Sequence, residues 1–454
     1  MKIVIFATLL LFTEFLCYGQ TPPATPPATD FRMYEIINTA SSERIQKDVE
    51  ALVGFGTRHT LSDTVSETRG IGAARRWIKS TFKKISAECG GCLEVIEQRS
   101  FVKAGDGNRI VKDVEVVNII AIQRGTEFPN RYIIMSGDID SRVSDPNNYM
   151  DDSPGANDNA SGLAGSLEAA RLLSGYSFPN SIIYVGLSGE EQGLYGGKFL
   201  AEKAVKENWD IIGVLNNDMI GNIEGMDGII DNQSFRIFSE PTPVTEPEEV
   251  RKRRRYYGGE VDGISRQIAR YVHKQTTTYM PKMKPKLVYR LDRFGRGGHH
   301  RPFNDQGFAG IRIMETHENY NRQHQDIRTE DGIKYGDVIE KVDFDYASRL
   351  TAVNAISLAG LAWAPPAPES VRIGGVVQPS TLLEWDMVES ETLAGYRIYW
   401  RDTTAPQWEH SIYVGKTSRF LLEGIVIDNY LFGVASVGKD GNESQVVFPS
   451  SVIR

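Results

Sequence analysis

Residues 131–141 read RYIIMSGDIDS, an unbroken apolar run that closes on a glycine and then on Asp138 and Asp140. Short apolar runs bounded by turn residues read as buried strands. Residues 181–189 (SIIYVGLSG) repeat the pattern and lead straight into Glu190 and Glu191. Between the two, residues 160–176 (ASGLAGSLEAARLLSGY) place Leu163, Leu167, Ala170 and Leu173 on one helical face. Working outward, 211–220 and 307–315 (GFAGIRIME) read as further strands, 231–298 has weaker periodicity and many charges, and 344–363 reads as a long closing helix. This switching between strand and helix periods predicts an α/β domain.

The whole chain fits that class. Its 454 residues are 41% apolar and 24% charged, an ordinary globular mixture that excludes disorder, collagen and a polytopic membrane protein. Acids exceed bases by 59 to 51, for a net charge of −8, so the overall balance argues for no nucleic-acid partner. With only seven histidines, any metal site must lean on carboxylates.

At the N-terminus, Met1-Lys2, the apolar run 3–12 and the small residues near Gly19 read as a secretory signal over 1–19, and the run is too short to span a bilayer. The expected location is therefore secreted or periplasmic. Residues 20–33 form a Thr/Pro-rich linker. After removal of Cys17 only Cys89 and Cys92 remain, and an oxidising compartment predicts a disulfide between them. A Pro-rich break at 364–368 separates the domain at 34–363 from 369–454, where short alternating strands predict a small β-sandwich. Trp385, Tyr396, Tyr399 and Tyr430 there resemble the core of a fibronectin type III domain, and attachment is the role expected of it by fold analogy.

Four acidic motifs stand where α/β strands should end: Asp138-Ile139-Asp140, PGANDNASG at 154–162, EEQGLYGG at 190–197 and NNDMIG at 216–221. Ligands of open α/β sheets gather at the carboxyl ends of the strands, so these acids can converge in one cleft. Adjacent glutamates can divide labour, one binding a metal while the other moves a proton.

In their order and shared setting, the last three motifs resemble the co-catalytic zinc aminopeptidase family, whose relatives include glutamate carboxypeptidase II and the glutaminyl cyclases. The resemblance covers most of the chain. It implies a three-layer α/β/α sandwich around a mixed central sheet and two divalent metal ions, zinc in the family. It makes Asp158 the bridging ligand, Glu191 and His324 ligands of one ion, Asp218 a ligand of the other, and Glu190 the general base. Asp140 would support the ligands from behind. His299 and His300, before Pro302-Phe303, match the family's substrate-side Asp-His pair, and His317 is a rival to His324.

Two departures stand out. Where family members read His-x-Asp, this chain has Asp138, giving four carboxylates and one histidine as ligands, a charge of −4. An all-oxygen half-site is less selective for zinc, so weaker occupancy or another divalent cation is expected there. Where many relatives have a tyrosine before the last histidine, this chain has Gln323, with Tyr320 the other candidate to face the substrate. The expected function is an exported metal-dependent exopeptidase of aminopeptidase type, acting on peptides or proteins. The alternatives are a glutaminyl cyclase-like enzyme and a degenerate binding protein.

Overall fold

The computed structural model describes residues 24–257 and 262–453. The expected signal over 1–19 and the first four residues of the linker, 20–23, lie outside these residues. Among them, no helix is long and apolar enough to cross a membrane.

An eight-stranded sheet forms the centre, in the order β1-β2-β4-β3-β5-β8-β6-β7. The strands are β1 (Leu93–Val102), β2 (Val114–Gln123), β3 (Phe128–Asp138), β4 (Asn180–Leu187), β5 (Asp210–Asn217), β6 (Ser234–Ser239), β7 (Lys284–Val288) and β8 (Gly310–Glu315). Strands β4, β3, β5 and β8 are parallel neighbours, while β1, β2 and β6 bring antiparallel pairings, so the sheet is mixed.

Side chains alternate across each strand, so both faces are apolar. Ile133 and Met135 of β3 join the core under helices Gly162–Leu173 and Phe344–Trp363. Their neighbours Tyr132 and Ile134 face Leu200, Ala201 and Ala204 of helix Tyr195–Lys206 and Phe303 of the short helix His300–Asp305. The three layers match the expected α/β/α architecture. Helix Gly162–Leu173 is buried on every side except at Arg171. It sits so close to the sheet that a Cβ on Gly137 would come within 2.4 Å of the Leu163 nitrogen, and one on Gly162 within 2.2 Å of the Asn217 carbonyl. Those two glycines let the acidic loop before the helix lie directly on the ends of β3 and β5. Cys89 and Cys92 form a disulfide just after helix Gly70–Glu88.

The C-terminal region folds as a four-stranded sheet facing a three-stranded one. Trp385 and Tyr396 lie in the core between them, their rings 5.2 Å apart. Asp262 Oδ1 accepts from Arg270 Nη1 of helix Ile264–Tyr279 and from Arg401 Nη2 of the three-stranded sheet, both at 2.6 Å. All three side chains are buried, so a dry ionic seam joins this region to the larger domain. Removing one partner from such a cluster strands the others. Asp262→Ala is therefore expected to lower stability by about 3–5 kcal/mol in urea unfolding; a loss below about 1 kcal/mol, as for a surface pair, would contradict the seam.

Candidate metal centre and cleft

The parallel order β4-β3-β5-β8 brings the acidic strand ends side by side. Asp138 ends β3, Asp218 follows β5, and Glu190 and Glu191 lie in the loop after β4. Asp140 shapes that loop: its carboxylate accepts the backbone N–H groups of Gly189 (2.8 Å), Glu190 (3.2 Å) and Glu191 (3.0 Å), with Thr60 Oγ1 at 3.0 Å. Fully buried Arg58 donates to the carbonyls of Ile139 and Gly155, both at 2.9 Å, and so ties the strand end to the neighbouring loop.

Asp158 lies in the loop 154–162, where Asp337 accepts the backbone N–H of Asn157 at 2.8 Å and of Asp158 at 2.7 Å. Across the cleft, His324 Nε2 is 2.8 Å from Asp158 Oδ2 and 2.9 Å from Glu191 Oε1. Arg142 holds the far side of this group, with Nε on Glu191 Oε2 at 2.8 Å and Nη2 2.7 Å from His324 Nδ1. Burial opposes the charge of the His324 ring, yet Glu191 and Asp158 raise its pKa to about 9. His324 also adopts φ 54°, a conformation uncommon for a residue with a side chain and found most often at functional positions.

Among the described residues, Asp158, Glu191 and His324 are the one group of three acidic or histidine side chains whose ligand atoms all lie within 4.8 Å of one another. Two carboxylates and an imidazole, with room left on the cleft side, form a donor set suited to a catalytic zinc ion. These residues therefore fit one divalent cation. Glu190 lines the same cleft. Burial, then Glu191, Asp218, Asp138 and Asp158, push its carboxyl well above the ordinary range.

The other expected half-site is arranged differently. Asp138 does not join the three-residue group: its Oδ1 is 2.5 Å from His299 Nδ1 and its Oδ2 accepts from Asn159 Nδ2 at 2.6 Å. Burial lowers the His299 pKa to about 4, against the pull of Asp140, Asp218 and Glu191, so the ring is neutral at neutral pH. Asp218 Oδ2 pairs with Arg312 Nη2 of β8 at 2.9 Å.

Of the residues expected to face substrate, His299 and His300 are fully buried, and His300 Nε2 bonds the Leu291 carbonyl at 2.8 Å. Gln323 Nε2 donates to Asp158 Oδ2 at 3.2 Å, while Tyr320 is 57% exposed on the surface. His317 lies beside Asp227 and Asp231, apart from the three-residue group. Sequence reasoning missed Arg142, Asp337 and Arg312. Only Arg312 carried a local signal, a lone charge inside the apolar run GFAGIRIME.

The cleft has a volume of about 820 Å³. Beyond the acidic group its lining carries Arg109, Lys198, Arg293, Arg296 and Arg301, opposed by Glu202 and Asp305.

Residues 118–341 match the model of peptidase family M28. The chain is 41% identical over 427 residues to a "Probable zinc metalloprotease" of Pyrenophora tritici-repentis, covering 93% of this chain and 88% of the relative. It is 40% identical to another from Leptosphaeria maculans, over 93% of this chain and 98% of that one. Among solved structures, LapB from Legionella pneumophila superposes with TM-score 0.53 at 16% identity, over 74% of this chain and 76% of that chain. The Macrostomum lignano glutaminyl cyclase gives TM-score 0.51 at 15% identity, over 74% of this chain and 94% of that one. These two likenesses concern the fold alone.

Asp337 touches no ion in this arrangement, yet it holds the loop that presents Asp158. Asp337→Ala leaves two backbone N–H groups without an acceptor, at about 1–3 kcal/mol each, and is expected to weaken zinc binding about 10–100-fold. Competition with a chromophoric chelator measures this, and an unchanged zinc affinity in the folded variant would contradict it.

Proposed function

The chain belongs to peptidase family M28 and is a metal-dependent peptidase, and from that premise we propose an exported exopeptidase of aminopeptidase type that uses Glu190 as its general base. The observation that carries this reading is the closure of Asp158, Glu191 and His324 into one three-ligand group with Glu190 beside it. Asp158, Glu191 and His324 would hold a divalent ion, which would supply Lewis acidity toward the scissile carbonyl and the attacking water. Glu190, its carboxyl lifted by burial and by neighbouring carboxylates, takes the proton of the attacking water and returns it to the leaving amine. Arg142, which lines the same cleft, orients Glu191 and His324. Export rests on the signal reading of residues 1–19 and accords with the Cys89–Cys92 disulfide.

The shape and charge of the cleft narrow the substrate. A volume of about 820 Å³ is large enough for a short peptide, and the preference for a chain end rests on the family resemblance. Five basic side chains against two acidic ones on the outer lining favour an anionic residue there.

A second reading is glutaminyl cyclisation. The single three-ligand group favours it, because intramolecular attack needs only one ion and an acid–base carboxylate. The expected second ion has lost Asp138 to His299 and meets Arg312 at Asp218. The C-terminal sandwich keeps its fibronectin type III-like reading, and its buried seam on Asp262 favours a fixed brace over a free attachment module.

Three measurements test the proposal. With a panel of aminoacyl fluorophores, glutamyl and aspartyl substrates are expected to give higher kcat/KM than lysyl and arginyl ones; the reverse order would overturn the charge argument. Glutamine-starting peptides in the same panel, followed by mass spectrometry, shorten if the enzyme is a peptidase and lose only ammonia if it is a cyclase. Glu190→Gln is expected to keep the wild-type zinc content and lose about 10²–10⁴-fold in kcat, and retained turnover would refute its role as base.

A further inference from the structure

We propose that Arg312 is a built-in cation that occupies the second half of the metal centre, so that this peptidase holds one divalent ion rather than two. Arg312 is fully buried on β8, in register with Asn216 of β5. Asp218 lies two residues beyond Asn216, on the same side of the chain, so the sheet itself delivers the guanidinium to the carboxylate.

Both terminal nitrogens of the arginine are held, while Nε has no partner. Nη2 bonds Asp218 Oδ2 at 2.9 Å and lies 3.4 Å from the Asp218 carbonyl. Nη1 meets both Asp292 oxygens at 3.2 Å and the Gly297 carbonyl at 2.9 Å. Burial works against its charge, yet Asp218 and Asp292 hold the guanidinium above its ordinary value. A cation fixed this firmly cannot step aside for a metal ion, and a divalent ion on the same carboxylate would meet its repulsion across a dry gap.

Asp218 Oδ1 is buried without a partner, and Asp138 has no free oxygen to set beside it. Both oxygens of Asp138 are taken, one by His299 Nδ1 and the other by Asn159 Nδ2. Asp138 and Asp218 therefore form no three-ligand group with Asp158, and among the described residues Asp158, Glu191 and His324 are the one group of metal-binding geometry. Arg312 does not line the cleft. It is a positioning residue, which keeps Asp218 compensated and sets a permanent positive charge behind Glu190.

The proposal rests on the ion site at Asp158, Glu191 and His324, and one experiment separates the two. The full chain is stripped with a chelator, re-equilibrated with excess zinc and freed of loose metal by gel filtration, and zinc per chain is then measured by elemental analysis. A ratio of one is expected. A ratio of two overturns the proposal, and a ratio of zero overturns the ion site and the proposal with it. Arg312→Met, which frees Asp218, is expected to raise the ratio toward two and to show a larger zinc-dependent rise in Tm than the wild type. A folded Arg312→Met protein that stays at one would show that the arginine is not what excludes the second ion. Should that variant fail to fold, Asp218→Asn decides: the ratio is expected to stay at one, and loss of zinc would make Asp218 a ligand and sink the proposal.

Discussion

Carboxylates taken out of water must be met by donors, cations or protons. The carboxyl edge of this sheet gathers five of them in Asp138, Asp140, Asp158, Glu191 and Asp218, all buried or nearly so. Each is met differently. Asp140 spends its oxygens on three backbone N–H groups and the Thr60 hydroxyl, and so builds the loop that carries the glutamates. Asp138 is matched by His299 and Asn159, and Asp218 by Arg312. Asp158 and Glu191 converge with His324 on the open cleft, in a grouping that fits a divalent ion. The position of the chemistry follows from which carboxylates the protein has already neutralised by itself.

Much of this arrangement was legible in the sequence. The apolar runs that became β3, β4, β5 and β8 are interrupted by a charge only at Arg312, and each leads at its end into an acid, so their acids pointed to one edge. The helix read over 344–363 coincides with Phe344–Trp363, because its apolar pattern leaves no competing period. The resemblance of PGANDNASG, EEQGLYGG and NNDMIG to a known family led to the three residues that the fold then brings together.

What stayed hidden depends on contacts far apart in the chain. His299 meets Asp138 across 161 positions, and Asp337 reaches Asp158 across 179. No local pattern encodes such pairs. Likewise, the Gly-His-His run looked like a substrate-facing motif, yet His299 is packed so tightly that a Cβ on Gly197 would come within 2.7 Å of its ring. Tyr320 lies four residues before His324 but is exposed, in a turn where the Asn319 carbonyl accepts the N–H groups of Arg322 and Gln323. Arg312 was visible only as a charge in an apolar strand, and its meaning emerged once β8 was placed beside β5.

Replacing a metal ion by a guanidinium changes what the centre can do. A guanidinium keeps its charge beside Asp218 at every physiological pH but, deep in the fold, offers no open coordination position to substrate. On the proposed reading, Lewis acidity would come from one ion at Asp158, Glu191 and His324, with Glu190 beside it as the proton carrier. The most direct measurement is an anomalous difference map at the zinc absorption edge from crystals of the zinc-loaded chain. The account expects one peak, among Asp158, Glu191 and His324, with Arg312 still paired to Asp218. A second peak between Asp138 and Asp218 would contradict it.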